Sequence, residues 1–238
     1  MIPNLPLFVS IFFGLAAIVT LVLFYLAVKK SKNSSTQNKA VYVLLGMILW
    51  LIVQAILTLK NVYSTNTDVF PPKIILLGVL PAAIIILGLF VTAAGRKFID
   101  GLPLQLLTYL NVVRIPVELT LFWLFLNRAV PELMTFEGHN FDILAGISAP
   151  FVAYFGFTKK VLSQNLILIW NFVCLALLIN IVVLALLSAQ TPIQQFGFDQ
   201  PNVAIVFFPF SWLPTFIVPV VLFGHLASIR QLLKQKFE

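Results

Sequence analysis

Charge is scarce in this sequence. Only 10% of its 238 residues are Asp, Glu, Lys or Arg, against 61% hydrophobic, whereas a soluble domain carries roughly 25% charged residues. A chain this apolar has too little polar surface to cover itself in water, so its solvent is lipid. Cysteine is nearly absent: Cys174 stands alone, which excludes an intrachain disulfide and any Cys-rich zinc or iron–sulfur site. Histidine is limited to His139 and His225, far apart in the chain, so neither a bis-His haem nor a multi-His hydrolase centre is expected. The start, from Met1 to Pro6, has no basic region. The apolar stretch behind it is too long for a signal-peptide core, so it reads as a retained first span.

What is present is apolar runs of membrane length. A transmembrane helix needs about 20 mostly apolar residues. Seven stretches meet or approach this, at about 5–28, 40–59, 74–94, 104–126, 141–157, 161–187 and 203–227. The expected fold class is all-α: a single transmembrane domain over 1–238, a seven-helix bundle with the N-terminus outside and the C-terminus in the cytoplasm. The orientation follows from the basic residues. Eleven Lys and Arg fall in the segments that would be inside (Lys29, Lys30, Lys32, Lys39, Arg96, Lys97, Lys159, Lys160, Arg230, Lys234, Lys236) and three outside (Lys60, Lys73, Arg128). Inner loops are the positive ones, which points to a plasma or inner membrane. The net charge of +7 belongs to these helix ends and their anionic lipid headgroups, and no basic domain suited to nucleic acid is present.

Charges within the spans mark the candidate site. Arg114 lies near the centre of the fourth stretch, and Glu118 follows one turn later. A charge at mid-bilayer costs about 2.5–3.5 kcal/mol on insertion scales, so it must face protein or water and find a partner. Helical spacing places Thr108, Asn111, Arg114 and Glu118 on one stripe. Pro116 lies between the two charges and deprives the Val112 carbonyl of its helical donor, which predicts a kink. Arg114 and Glu118 either neutralise one another or line a ligand or ion site. Asn111, Asn171 and Gln54 are the polar residues best placed to contribute contacts, with Asn165 and Asn180 as further interhelical donors.

Two weaker patterns complete the reading. Glu137, His139 and Asp142 offer oxygen and nitrogen ligands within six residues, a conceivable metal set whose spacing fits no established motif, so no metal is assigned. Asp142 is the member placed to face inward. His225 reads as an interfacial histidine near the inner end of the seventh stretch, and Ala145, Ala149 and Ala153 as a packing face. No lysine occurs between Val203 and Ser228, which excludes a retinal Schiff base, and no other cofactor is expected. Lys39–Leu57 aligns without gaps on Lys159–Leu177, pairing Trp50 with Trp170. That layout resembles the plan of sugar and vitamin transporters built as three helices, a linker helix and three more. The functional expectation is a small-molecule or ion transporter or receptor-like binder around Arg114 and Glu118. The alternative is a non-catalytic subunit that docks a membrane partner or a second copy. No nucleophile–base pair suggests an enzyme.

Overall fold

The computed structural model describes residues 2–65 and 70–237, with side chains to residue 234. Met1, Glu238, residues 66–69 of the expected loop after the second span, and the Lys236 side chain lie outside the described residues. The regular elements are helices: α1 (Leu7–Lys29), α2 (Ser34–Asn38), α3 (Ala40–Leu59), α4 (Leu80–Val91), α5 (Ala93–Gly101), α6 (Leu104–Tyr109), α7 (Arg114–Leu126), α8 (Ile143–Ala153), α9 (Gln164–Leu187) and α10 (Val218–Phe237). Three of them are extended by one-turn π-helices, Ile75–Val79 before α4, Tyr154–Thr158 after α8 and Leu213–Ile217 before α10. Among the described residues, five helical stretches are long and apolar enough to cross a membrane: Leu7–Lys29, Ala40–Leu59, Leu104–Leu126, Gln164–Leu187 and Leu213–Lys234. The stretch Ile75–Val91 continues into α5 through a 92° bend, and Ile143–Thr158 is a shorter apolar helix.

Each long helix buries one stripe and leaves the rest apolar. On α9 the buried residues are Ile167, Asn171, Cys174, Leu178 and Ile181, at alternating steps of four and three. Ile169, Phe172, Val173 and Ile179 on its other faces are exposed. Helix α4 buries nothing, and Ile84, Ile85 and Leu87 stand free on it. Exposed apolar flanks of this kind suit lipid contact.

The third expected stretch ends early for a local reason. Thr92 takes an extended conformation and its Oγ1 accepts from the Gly95 N–H, capping α5. Arg96 turns back and donates to the Val91 and Phe90 carbonyls at 2.6 and 3.3 Å, closing the open end of α4. A Cβ on Gly95 would come within 2.3 Å of the Leu89 carbonyl oxygen, so the fold-back requires glycine there. Helix α5 is then tied down. Ser31 Oγ and the Lys32 N–H donate to the Gly101 carbonyl, Gln231 Nε2 donates to the Ile99 and Leu102 carbonyls, and Arg230 forms a two-pronged pair with Asp100 at 3.0 and 3.2 Å. Gln164 donates to the Leu232 carbonyl and Gln105 to Thr158 Oγ1. These bonds gather the basic segments around 29–39, 96–97, 159–160 and 230–234 at one end of the bundle.

The last helix is displaced from its expected position. It begins at Leu213, not Val203, and runs on to Phe237. Residues 203–212 form a short 3-10 turn and further turns, pinned where the Val203 and Ala204 N–H groups donate to the Ala129 carbonyl. Pro209 interrupts any helix there because it offers no N–H. Just upstream of Pro116, where a kink was expected, Leu110–Val113 tightens into a 3-10 turn between α6 and α7, and Leu104–Leu126 continues as one span-length stretch. Helix α8 lies close against this turn. Ala145, Ala149 and Ala153 are buried, and a Cβ on Gly146 would come within 2.8 Å of Ile115 Cγ1 and 3.3 Å of Arg114 Cβ.

This close approach predicts that Gly146→Leu forces α8 off α7, with a loss of about 1–3 kcal/mol typical of overpacking. Gly14→Leu, in open space on α1, is the matched control. Midpoints of unfolding in mixed micelles should fall for the first and not for the second.

Candidate functional site

The polar stripe of Leu104–Leu126 is buried throughout, with Arg114 3% and Glu118 1% exposed. The two charges are not bonded to each other. Arg114 Nη1 donates to Asp142 Oδ1 at 2.6 Å and to the Cys174 carbonyl at 3.1 Å. Its Nη2 lies 2.8 Å from His225 Nε2. A guanidinium can only donate, so Nε2 is the acceptor and the imidazole proton sits on Nδ1. That Nδ1 donates to Asn171 Oδ1 at 3.0 Å, and Asn171 Nδ2 donates to the Ile167 carbonyl. The chain Arg114–His225–Asn171 thus requires a neutral histidine and joins α7, α10 and α9.

Glu118 has a different partner. Its Oε2 accepts from Asn140 Nδ2 at 2.6 Å. Asn140 also donates to the Met134 carbonyl, and its Oδ1 accepts the Asp142 N–H at 3.1 Å. One asparagine therefore positions both carboxylates. Glu118 Oε1 and Asp142 Oδ2 make no hydrogen bond among the described residues. Arg114 Nε and Asn111 Oδ1 are buried without a partner there.

Arg114, Glu118 and Asp142 form the floor of a cavity of about 340 Å³, in the size range of small-molecule sites. Its walls are apolar, from Val117 and Leu121 on α7, Leu178 and Ile181 on α9, and Ile217 and Val221 along the last helix. Lys73, Tyr63, Gln190 and Thr191 stand at its other end, among the loops that follow α3 and α9. The π-helix before α4 and helix α9 flank the cavity, and each packs chiefly on the last helix.

The candidates named from sequence separate into three groups. Arg114 and Glu118 line the cavity, and Asp142 joins them as the ion-pair partner. Asn171 stands behind Arg114 with His225 between them, while Asn111 bonds back to the Leu107 and Thr108 carbonyls on its own helix. Gln54 is elsewhere: its Nε2 donates to the Leu77 carbonyl in the π-helix before α4, and its Oε1 accepts from the Tyr63 hydroxyl. Burial pushes the Tyr63 phenol up to about 12, although the Gln54 hydrogen bond opposes the shift, so it remains a donor. Of the expected metal set, Glu137 and His139 are exposed and Asp142 turns inward; among the described residues no group of three or more His, Cys, Asp or Glu could hold a metal. Trp50 donates to the Thr215 carbonyl and Trp170 to Ser148 Oγ, so the two aligned tryptophans serve different contacts.

Two members of the cluster escaped the sequence reading. His225 looked interfacial because the last helix was expected to end at 227. With the helix running to 237, it lies near the middle and is fully buried. Asn140 falls between the expected stretches 104–126 and 141–157, and nothing local marks it as the residue that holds Glu118.

The chain thus presents an all-helical bundle, apolar enough for a membrane, with a buried cation held by a carboxylate and a neutral histidine at the floor of an apolar cavity. It belongs to a family described as a domain of unknown function (DUF8737), whose match covers residues 71–233. The matched region holds every member of the Arg114 cluster and leaves out α1 and α3, Gln54 included. No curated protein and no solved structure matches the chain.

The pairing makes a stability prediction. Asp142→Leu alone strands a buried guanidinium and should cost about 3–5 kcal/mol, whereas Arg114→Met combined with Asp142→Leu should recover most of that loss. Denaturant titration followed by helical circular dichroism distinguishes the two; equal losses would contradict the pairing.

Proposed function

We propose that this chain is a multi-pass membrane protein that binds a small molecule in the cavity ending on Glu118, Asp142 and Arg114, as a transporter or receptor-like binder does. The observation that carries this reading is the joining of a 340 Å³ apolar cavity to buried charges. Membrane interiors hold ionisable groups where they face a cavity or a functional pathway. Within this reading Arg114 is the structural pin, since both its terminal nitrogens are bonded to protein. Glu118 is the group offered to the ligand.

The bent Ile75–Gly101 pair and the shorter Ile143–Thr158 helix each count as a crossing in this proposal, which makes seven with the five long stretches. The basic end then faces the cytoplasm of a plasma or inner membrane. A fluorescent protein fused after residue 238 should fluoresce, and a periplasm-dependent phosphatase at the same place should be inactive; the reverse pattern would invert the topology.

The rival reading is a subunit whose ion pair is dry packing. Cysteine access separates the two in a Cys174→Ser background. Ile181→Cys and Val117→Cys line the cavity and should react with the uncharged reagent methyl methanethiosulfonate. Leu124→Cys, buried in the core away from the cavity, should stay inert. If all three remain equally unreactive, the cavity is closed to ligands and the subunit reading takes its place.

A further inference from the structure

We infer that the occupant of this cavity is an amphipathic monocation, an amine or quaternary ammonium head on an apolar body, seated with its head at Glu118. The inference rests on the binding role proposed above and adds the chemical class. It starts from the charges on the floor. There are two carboxylates, Glu118 and Asp142, and one guanidinium, Arg114. The guanidinium is committed to Asp142 at 2.6 Å. The histidine facing it from α10 is neutral, because its Nε2 must accept from Arg114. From α9 the facing groups are the uncharged Asn171 and the Cys174 carbonyl. Glu118 is left with one amide, from Asn140, on Oε2.

Glu118, 1% exposed and lining the apolar cavity, has no cation bonded to it among the described residues, where its Oε1 accepts no hydrogen bond and Arg114 is shared with Asp142. The site therefore selects a positive head. The walls select the remainder of the ligand, since above Glu118 they are Val117, Leu121, Leu178, Ile181, Ile217 and Val221. The other charge on the cavity, Lys73, stands at the far end and donates to Thr65 Oγ1 at 3.1 Å. It does not neutralise Glu118, and it favours a neutral or polar tail end there. A metal ion would not use these walls, and an anion would meet two carboxylates.

The test uses the full chain in neutral-lipid nanodiscs, with Cys174→Ser and Ile181→Cys. The readout is the rate of Ile181→Cys modification by methyl methanethiosulfonate. The probes share one chain length and differ in head: decyltrimethylammonium, decanol and decanoate. The cation should slow modification at least about tenfold more than decanol does, the scale of one charge-assisted contact. Glu118→Gln should abolish that advantage, and Glu118→Asp, which keeps the charge, should retain part of it. If decanol or decanoate protects as well as the cation, or Glu118→Gln keeps the cation's advantage, the monocation class is overturned while the cavity stands. If no probe protects a reactive Ile181→Cys, or the thiol never reacts, the binding role itself falls and this inference with it.

Discussion

One guanidinium organises the interior. A buried guanidinium is costly unless protein meets its donors, and meeting the two terminal nitrogens of Arg114 draws four separate segments together. Asp142 comes from the start of α8, the Cys174 carbonyl from α9 and His225 from α10, all converging on α7. Because the guanidinium only donates, it also dictates the protonation of His225 and, through it, the orientation of Asn171. Helix α8 can come close enough because Gly146 presents no side chain to Ile115 and Arg114.

The same convergence leaves a remainder. Two carboxylates meet one cation, and Asn140 orders both without neutralising either. Packing does not close over the unpaired carboxylate; an apolar cavity begins there instead. Interhelical polar contacts that serve only as glue usually satisfy both sides, as Gln54 does between Tyr63 and Leu77. The contrast between the satisfied Gln54 cluster and the incompletely satisfied Glu118 separates a structural contact from a candidate binding group within one protein.

Much of this was legible from residue pattern alone. The long apolar stretches are helices, the Thr108–Asn111–Arg114–Glu118 stripe is buried, and the chain tightens near Pro116. The misjudged points have a common cause. The expected seventh span began at Val203 because Val203–Phe208 is apolar, yet hydropathy carries no information about whether a backbone is helical. Pro209 and the hydrogen bonds to the Ala129 carbonyl hold that run in short turns, and the resulting shift moved His225 from an apparent boundary into the interior. Of the two alternatives for Arg114 and Glu118, direct pairing does not form, for a related reason: spacing along one helix says which residues share a face, not which neighbour from another helix reaches them first.

Sequence by itself determined that the helices are apolar enough for a membrane, the helical class, and the existence of a buried charged stripe, because the cost of exposing charge to an apolar surround depends on composition and on helical periodicity. Tertiary structure alone decided that Asp142 rather than Glu118 pairs with Arg114, that His225 is neutral and central, and that a cavity opens over the remaining carboxylate. Those outcomes depend on distances of a few ångströms between segments far apart in the chain, and hydrogen bonds form or fail on that scale.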